Sequence, residues 1–281
     1  MPIDTPAATQ TARDYYNSAD ADNFYFHIWG GEDIHVGLYS HEGEPIADAS
    51  RRTVERMADR AAPIDADTRV LDIGAGYGGA ARLLAKEHGC HVTALNLAEA
   101  ENERNRAMTR EQGLDDKIDV IDGAFESMPF DDGAFDLVWC QDAILHSGDR
   151  AGVLREVDRV LKPGGRFVFT DPMRTDDADP ADLGAILERI HLPDLGSPGF
   201  YLEQGRARGW TDEGFEPHAD MLPRHYARVR EELERNEATL DGLVSSGYID
   251  RMKKGLDLWV AGGNAGKLTW GIFLFRKPAD A

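Results

Sequence analysis

Four clusters of acidic, amide and imidazole side chains in this 281-residue sequence each follow a short apolar run, an arrangement that puts chemistry on loops at strand ends. The first reads Asp72-Ile73-Gly74-Ala75-Gly76-Tyr77-Gly78-Gly79. Gly74, Gly76 and Gly79 satisfy the spacing G-x-G-x-x-G, in which a tight turn lets the backbone approach a ligand. The helix that follows offers unpaired amides to polar or negative groups. The glycines alone imply a nucleotide-like ligand, and Asp72, just ahead of the turn, leans the reading away from a dinucleotide. Asn96-Leu97 lies twenty residues past Gly76, where a ribose diol wants an acceptor, and Asn96 offers a neutral carbonyl there. Asp122-Gly123-Ala124-Phe125 is suited to accept from the amino group of a base and to pack against its ring. Gln141-Asp142, with His146 a few residues on, brings polar groups to a fourth loop.

The elements that must position these loops alternate in type. Strands are predicted over 69–73, 91–95, 117–121, 135–140 and 166–170, with helices over 78–88, 99–111 and 150–161. The turn Lys162-Pro163-Gly164-Gly165 stops the last of these helices. Such alternation demands a mostly parallel sheet covered on both faces, with ligands at the carboxyl ends of the strands. Ahead of this core, residues 1–12 read as a loose tail. Aromatic residues then crowd 15–39 around a short helix and an irregular loop, and a helix spans 49–61. After Asp171-Pro172 the rhythm changes. Helices over 180–190 and 202–209 flank a Pro/Gly loop at 192–199, and a weak sixth strand falls at 215–220. The stripe Tyr226, Val229, Leu233, Leu240, Val244 predicts a helix over 223–247, another follows over 248–262, and an apolar strand closes at 268–275. The expected divisions are an aromatic-rich N-terminal segment (1–62), a ligand-binding core (63–175) and remaining core elements (176–222). A helical cap (223–263) and the final strand with its tail (264–281) complete the chain.

Apolar residues make up 42% of the chain, enough for a sizeable core. No run approaches the roughly eighteen consecutive apolar residues of a membrane span, and Met1-Pro2-Ile3-Asp4 lacks the start of a signal peptide. Fifty-one acidic against 31 basic residues give a net charge of −20, a surface that repels nucleic acid and anionic lipid. The basic residues are 24 Arg and 7 Lys, and this lysine-poor, acidic composition suits a cytoplasm rich in salt or compatible solute. Cys90 and Cys140 fall in or beside core strands and read as buried free thiols. His27, His35, His41 and Glu42 are scattered through a loop without a ligand motif, so no metal is expected.

Three motifs in order carry a resemblance: Val70-Leu71-Asp72-Ile73-Gly74-Ala75-Gly76-Tyr77-Gly78, Phe125-Glu126-Ser127-Met128-Pro129-Phe130-Asp131-Asp132-Gly133-Ala134-Phe135-Asp136, and Leu161-Lys162-Pro163-Gly164-Gly165. Together they resemble the class I S-adenosylmethionine-dependent methyltransferases over about residues 50–175 plus the closing strand. The resemblance implies an α/β, Rossmann-like seven-stranded sheet whose last strand is antiparallel. Helices cover both faces, and the helical cap is inserted before the last strand. It also implies S-adenosylmethionine as cofactor. Asp72, Gly74, Ala75 and Gly76 would hold its methionine part, Asn96 and Leu97 its ribose. Asp122, Gly123 and Ala124 would lie by the adenine, and Gln141 beside the methionine end. Asn96 departs from the family's usual acidic residue. Within the class, Phe26-His27-Ile28-Trp29-Gly30-Gly31-Glu32-Asp33-Ile34-His35-Val36-Gly37, Trp139 through Ser147 and Leu222-Pro223-Arg224-His225-Tyr226 are similar to the sarcosine/dimethylglycine N-methyltransferases of glycine betaine synthesis.

That likeness implies in-line methyl transfer to a secondary or tertiary amine, with a small amino acid as partner and neither nucleic acid nor membrane. A cytoplasmic monomer or small homo-oligomer is expected. An aliphatic amine near the ordinary lysine pKa of about 10.4 is mostly protonated at neutral pH, so the site must favour the free base or lead the proton away. His146 is the first candidate for that work, with Tyr25 and Asp171 as further catalytic candidates; a structural or capping role competes for His146 and Asp171. Tyr16, Tyr25 and Trp29 are suited to cradle the ammonium on their ring faces. Arg174, then Arg224, are the candidates for a bidentate carboxylate clamp, against the reading of each as a surface arginine. Asp142 faces the acceptor, and His225 and Tyr226 reach down from the cap. The alternatives are a methyltransferase for glycine, phosphoethanolamine or a sterol-like alcohol, a nicotinamide oxidoreductase, and a non-catalytic binding protein.

Overall fold

The apolar runs of the core become the parallel strands β1 (Arg69–Ile73), β2 (His91–Asn96), β3 (Ile118–Asp122), β4 (Phe135–Gln141) and β5 (Leu161–Thr170) in the computed structural model, which describes residues 7–190 and 194–279. Later strands are β6 (Met173–Arg174), β7 (Thr211–Pro217), β8 (Leu268–Thr269) and β9 (Gly271–Arg276). Seven of these form one sheet in the order β3-β2-β1-β4-β5-β9-β7, with β9 antiparallel to both neighbours. The short strands β6 and β8 pair separately. The strand order reverses between β1 and β4, so a crevice opens where their carboxyl ends diverge. Their register, Asp72 opposite Trp139 and Ile73 opposite Cys140, sets the Gly74 loop beside the Gln141 loop.

Ten α-helices are found among the described residues: α1 (Ala7–Tyr16), α2 (Ala19–Ile28), α3 (Ile46–Ala61), α4 (Gly79–His88), α5 (Glu99–Glu111), α6 (Arg150–Val160), α7 (Gly184–Ile190), α8 (Pro198–Ala207), α9 (Met221–Asn236) and α10 (Ser246–Asn264). They cover both sheet faces with separate apolar clusters, one centred on Val70, Trp139 and Ile272, the other on Leu71, Phe167 and Phe273. A third cluster joins the aromatic segment of α2 to the cap helices, where Tyr226 stacks on Trp259 at 5.1 Å. Among the described residues no helix is long and apolar enough to cross a membrane.

Five expectations are corrected in whole or in part. The tail expected over 1–12 is helical from Ala7, while residues 1–6 lie outside the described residues. Its composition hid it, because only Tyr15 and Tyr16 at its end join an apolar cluster, while polar contacts at and just beyond α1 complete the docking. Arg13 pairs with Glu99, Asn17 donates to Glu99 at 2.5 Å and accepts from the Ala100 amide, and Thr9 donates to Glu126 at 3.1 Å. Lys162-Pro163-Gly164-Gly165 is a bulge inside β5 rather than a turn ahead of it; the register jumps from Phe135–Leu161 to Leu137–Arg166. The sixth strand runs Thr211–Pro217, earlier than predicted. The long cap helix breaks after Asn236 into a 3-10 turn, and Ser245 restarts it by accepting from the Tyr248 amide. Leu240 and Val244 stay buried through the break, so the apolar stripe survived in the sequence. Of the loop expected at 192–199, residues 191–193 lie outside the described residues, and 198–199 already belong to α8.

Candidate active site

Two cavities meet above the carboxyl ends of β1, β2 and β4. The larger takes in about 690 Å³, open solvent at its mouth included, and is lined by the strand-end loops: Gly74 and Gly76, Asn96 to Ala98, Ala124 to Glu126, and Gln141 to Ala143. Gly74 is left-handed (φ 72°), and a Cβ there would collide with that of Ala143, so only glycine lets the first loop lie against the fourth. The second cavity, about 530 Å³, is walled by Tyr16, Tyr25, Trp29, Tyr226 and Trp259, with His35, Asp142 and Pro172. Tyr16, Ile34, Asp142 and His146 line both, so the two spaces share one wall.

That wall is held firmly. Asp142 sits at φ 51°, a left-handed conformation that Asp tolerates better than most residues. Its Oδ1 accepts from Thr170 Oγ1 and Trp270 Nε1, both at 2.7 Å, and its Oδ2 from the Val36 amide at 2.7 Å. Burial nevertheless raises its pKa, opposed by nearby His35. Burial likewise drives the Tyr16 and Tyr25 hydroxyls well above their ordinary pKa, which keeps them as O–H groups. The Tyr16 hydroxyl lies 2.9 Å from His146 Nε2. His146 ends a 3-10 turn (Ile144–His146) whose Leu145 amide donates to Asp171 Oδ1 at 2.9 Å.

The structure brings most of the predicted residues together and sets others aside. Gly74, Gly76, Asn96, Leu97, Ala124, Gln141, Asp142, His146 and Tyr16 line the larger cavity; Tyr25, Trp29 and Tyr226 line the aromatic one. Asp72 and Ala75 line a small recess behind the Gly74 loop, and burial pushes the Asp72 carboxyl up to about 7. Asp122, expected by the adenine, turns to α5, accepting from Asn102 at 2.7 Å and Arg106 at 2.9 Å; Gly123 is filled over by Leu95. Asp171 lines neither of the two cavities. It braces the 3-10 turn and accepts from Tyr201 at 2.6 Å, and burial pushes its carboxyl up to about 7.

Neither predicted clamp lines either of the two cavities. Arg174 pairs with Asp194 at 3.2 Å and donates to the Thr175 and Asp176 carbonyls. Arg224 lies 5.3 Å over the Tyr39 ring. His225 stands behind Trp29, its Nδ1 accepting from the Gly37 amide and the Tyr39 hydroxyl, and burial depresses its pKa to about 3.

Sequence reasoning missed Glu101. Asn96 does not face the cleft alone, because its Nδ2 donates to Glu101 Oε2 at 2.9 Å. Glu101 lines the cleft, is buried, and has its carboxyl pushed up to about 7 by that burial. The missing acid of the second strand thus comes from the first turn of α5, one of four glutamates in a helix whose sequence does not tell which of them turns inward. Also missed was Trp29 Nε1, a buried donor with no hydrogen-bond partner among the described residues.

A parallel sheet with an antiparallel last strand, a glycine loop at its switch point and a carboxylate–amide pair where a ribose would sit defines the class I S-adenosylmethionine-dependent methyltransferases. A family model described as a methyltransferase domain matches residues 71–169. The sarcosine/dimethylglycine N-methyltransferase of Halorhodospira halochloris is 61% identical over 270 residues, 96% of this chain and 97% of that protein. The glycine/sarcosine/dimethylglycine N-methyltransferase of Actinopolyspora halophila is 57% identical over 96% of this chain, which spans only 47% of that longer protein. A crystal structure assigned to a sarcosine dimethylglycine methyltransferase from Galdieria sulphuraria superposes with a TM-score of 0.89 at 42% identity, covering 95% of this chain and all of that one. This chain belongs to the sarcosine/dimethylglycine N-methyltransferase family, and its cofactor is S-adenosylmethionine. The donor set suits that cofactor: a buried acid and amide for a diol, apolar Leu97, Ala98 and Phe125 for a flat base, and the unpartnered Gln141 amide. Among the described residues no group of three His, Cys, Asp or Glu side chains is placed to hold a metal.

Proposed function

We propose that this chain transfers methyl groups to sarcosine and dimethylglycine, giving glycine betaine. The observation that carries this reading is the aromatic cavity: five aromatic rings and Asp142, with no Lys or Arg among the described residues on its walls, sharing a face with the cofactor cleft. Ring faces and one carboxylate suit a methylated ammonium. A phosphate dianion would want arginine or lysine, which this cavity lacks. The names of the closely similar relatives support the same acceptors.

S-adenosylmethionine, when bound, supplies an electrophilic methyl on a sulfonium. Glu101 and Asn96 hold its ribose, and Leu97, Ala98 and Phe125 flank the base. The rings exclude water around the acceptor nitrogen and align it. The Trp29 indole N–H, buried without a partner, donates to the acceptor carboxylate in place of an arginine. Each methylation requires one proton to leave an ammonium first. The Tyr16 oxygen takes that proton as its own passes to His146 Nε2, 2.9 Å away, so the tyrosine stays neutral throughout.

A labelled methyl-transfer assay with glycine, sarcosine, dimethylglycine and phosphoethanolamine tests the reading. Betaine formed from both sarcosine and dimethylglycine is the expected product; turnover of phosphoethanolamine alone would sink it.

A further inference from the structure

A third space opens between α1, α2 and α10, and neither the cofactor nor the methyl transfer accounts for it. It takes in about 1720 Å³, open solvent at its mouth included. Tyr16, Tyr25 and His146 line it, and the same three residues wall the aromatic cavity, so the two spaces meet across one layer of side chains. Tyr25 is buried at that inner end, whereas Asp14, Arg251 and Lys254 are exposed at the mouth. The walls are tied together, since the Tyr15 hydroxyl on α1 lies 2.7 Å from that of Tyr248 on α10.

The mouth carries both signs of charge. Arg251 and Lys254 stand three residues apart on α10 and so share one face of it. Neither makes an ion pair among the described residues; the Arg251 guanidinium lies 5.7 Å over the Tyr248 ring. The same helix finds partners for its other charges, Lys253 pairing with Glu237 at 2.6 Å and Asp257 with Arg230 at 3.3 Å. Like charges one turn apart repel, so folding gains nothing from an unneutralised pair in a chain of net charge −20. From α1 and α2 come Asp14, which accepts from Gln10 at 2.7 Å, and Asp20, which accepts from the Ser245 amide at 2.8 Å. Cations from one helix and carboxylates from two others make a dipolar mouth. A lone anion meets the acids there and a lone cation the bases, whereas a zwitterion satisfies both.

We propose that this space is the entry vestibule for the acceptor, in which Arg251 and Lys254 hold the carboxylate of a small amino-acid zwitterion while its ammonium leads toward Tyr16, Tyr25 and His146. The proposal rests on the amino-acid acceptor proposed above and adds a binding step ahead of the aromatic cavity. It gives the basic pair a task that the rings cannot perform. Amines that bear a carboxylate are selected at the mouth, before the rings and the Trp29 indole N–H receive them.

Steady-state methylation of sarcosine and dimethylglycine by the full chain, at about 0.1 M and about 1 M salt, tests the vestibule. The double variant Arg251→Gln/Lys254→Gln should raise KM for both amines about fivefold at the lower salt, the ordinary worth of two exposed ion pairs. Its kcat and its affinity for S-adenosylhomocysteine should each stay within about twofold. At the higher salt, where the screening length falls to about 3 Å, the KM difference should shrink below about twofold. Arg251→Lys/Lys254→Arg keeps both charges and should return KM to that of the unaltered chain. An unchanged KM in the double Gln variant at the lower salt overturns the vestibule, as does a fall in kcat or in S-adenosylhomocysteine affinity, which would make the pair structural. If the unaltered chain methylates neither amine, the acceptor reading falls and takes the vestibule with it; if it methylates both and the double Gln variant matches it, the vestibule alone falls.

Discussion

The cofactor cleft and the acceptor cavity share a wall yet are built on opposite plans. The cleft is made chiefly of short stretches that follow β1, β2, β3 and β4, and one register places them all. Its recognition groups are backbone, small residues, and acids and amides in hydrogen-bonded pairs. The acceptor cavity draws on α1, α2, the loop at 34–36, the 3-10 turn, Pro172 and both cap helices. Its recognition groups are ring faces and neutral donors. Neither space is lined by Lys or Arg among the described residues, in a chain that carries 31 of them. If the proposed acceptor cavity is the right one, the substrate carboxylate is held without a cationic clamp, and its ammonium is answered nearby by rings and Asp142.

The sharpest way to break this contrast is at the shared wall. His146→Ala should lower kcat at neutral pH about 100-fold or more, the ordinary worth of a positioned proton acceptor. Affinity for S-adenosylhomocysteine should change less than about threefold, because the cleft has many other contacts. Steady-state kinetics with sarcosine and calorimetry check the split. A parallel fall in both would mean that His146 supports the cleft rather than the proton.

A smaller effect is expected within the cleft. Glu101→Gln keeps the hydrogen-bonding shape but removes the charge, and should weaken S-adenosylmethionine about tenfold. The sign with pH follows from burial, which pushes the Glu101 carboxyl up to about 7. Ribose hydroxyls donate best to the ionised form, so cofactor affinity should rise from pH 6 to 8 and stay flat in Glu101→Gln. Folding shows the opposite slope. The folded chain holds the Glu101 proton longer than the unfolded one, so this residue's contribution to stability falls as pH rises from about 4 to about 7. Calorimetry and thermal melts across that range measure both.

The two plans also explain what was legible in the sequence. Strand-end loops lie in consecutive apolar–polar punctuation, so spacing could place the loops of Gly74, Asn96, Ala124 and Gln141 at one sheet edge, while the roles of Ala124 and Gln141 came only from the family resemblance. Asp122 sits in the same punctuation but faces α5, because one residue of phase in a strand chooses the side and spacing cannot supply it. Glu101 was invisible since its partner Asn96 is five residues away across a helix start. The acceptor cavity has no local signature: Trp29 and Trp259 meet only through the third apolar cluster. Aromatic content flagged Tyr16, Tyr25 and Trp29, while His35 looked like one histidine of a scattered loop set. Charge misled most. Arg174 and Arg224 matched carboxylate chemistry by type, but a chain with 51 acids supplies nearby partners for many of its arginines.

That last point gives the smallest expected effect and the most exposed part of the comparison. Arg174 is held by Asp194 and two carbonyls, and Arg224 by the Tyr39 ring, so neither is free to turn inward without breaking contacts. Arg174→Ala and Arg224→Ala should leave KM for sarcosine and dimethylglycine within about twofold and stability within about 1 kcal/mol, as for partly exposed ion pairs. Trp29→Phe keeps the ring face but deletes the buried N–H, and should raise KM for both amines about tenfold, one lost hydrogen bond to a charged group. The ranking matters more than either number. If an arginine variant costs more than Trp29→Phe, the carboxylate is read by a cation after all, and the acceptor cavity must close further to bring that arginine in.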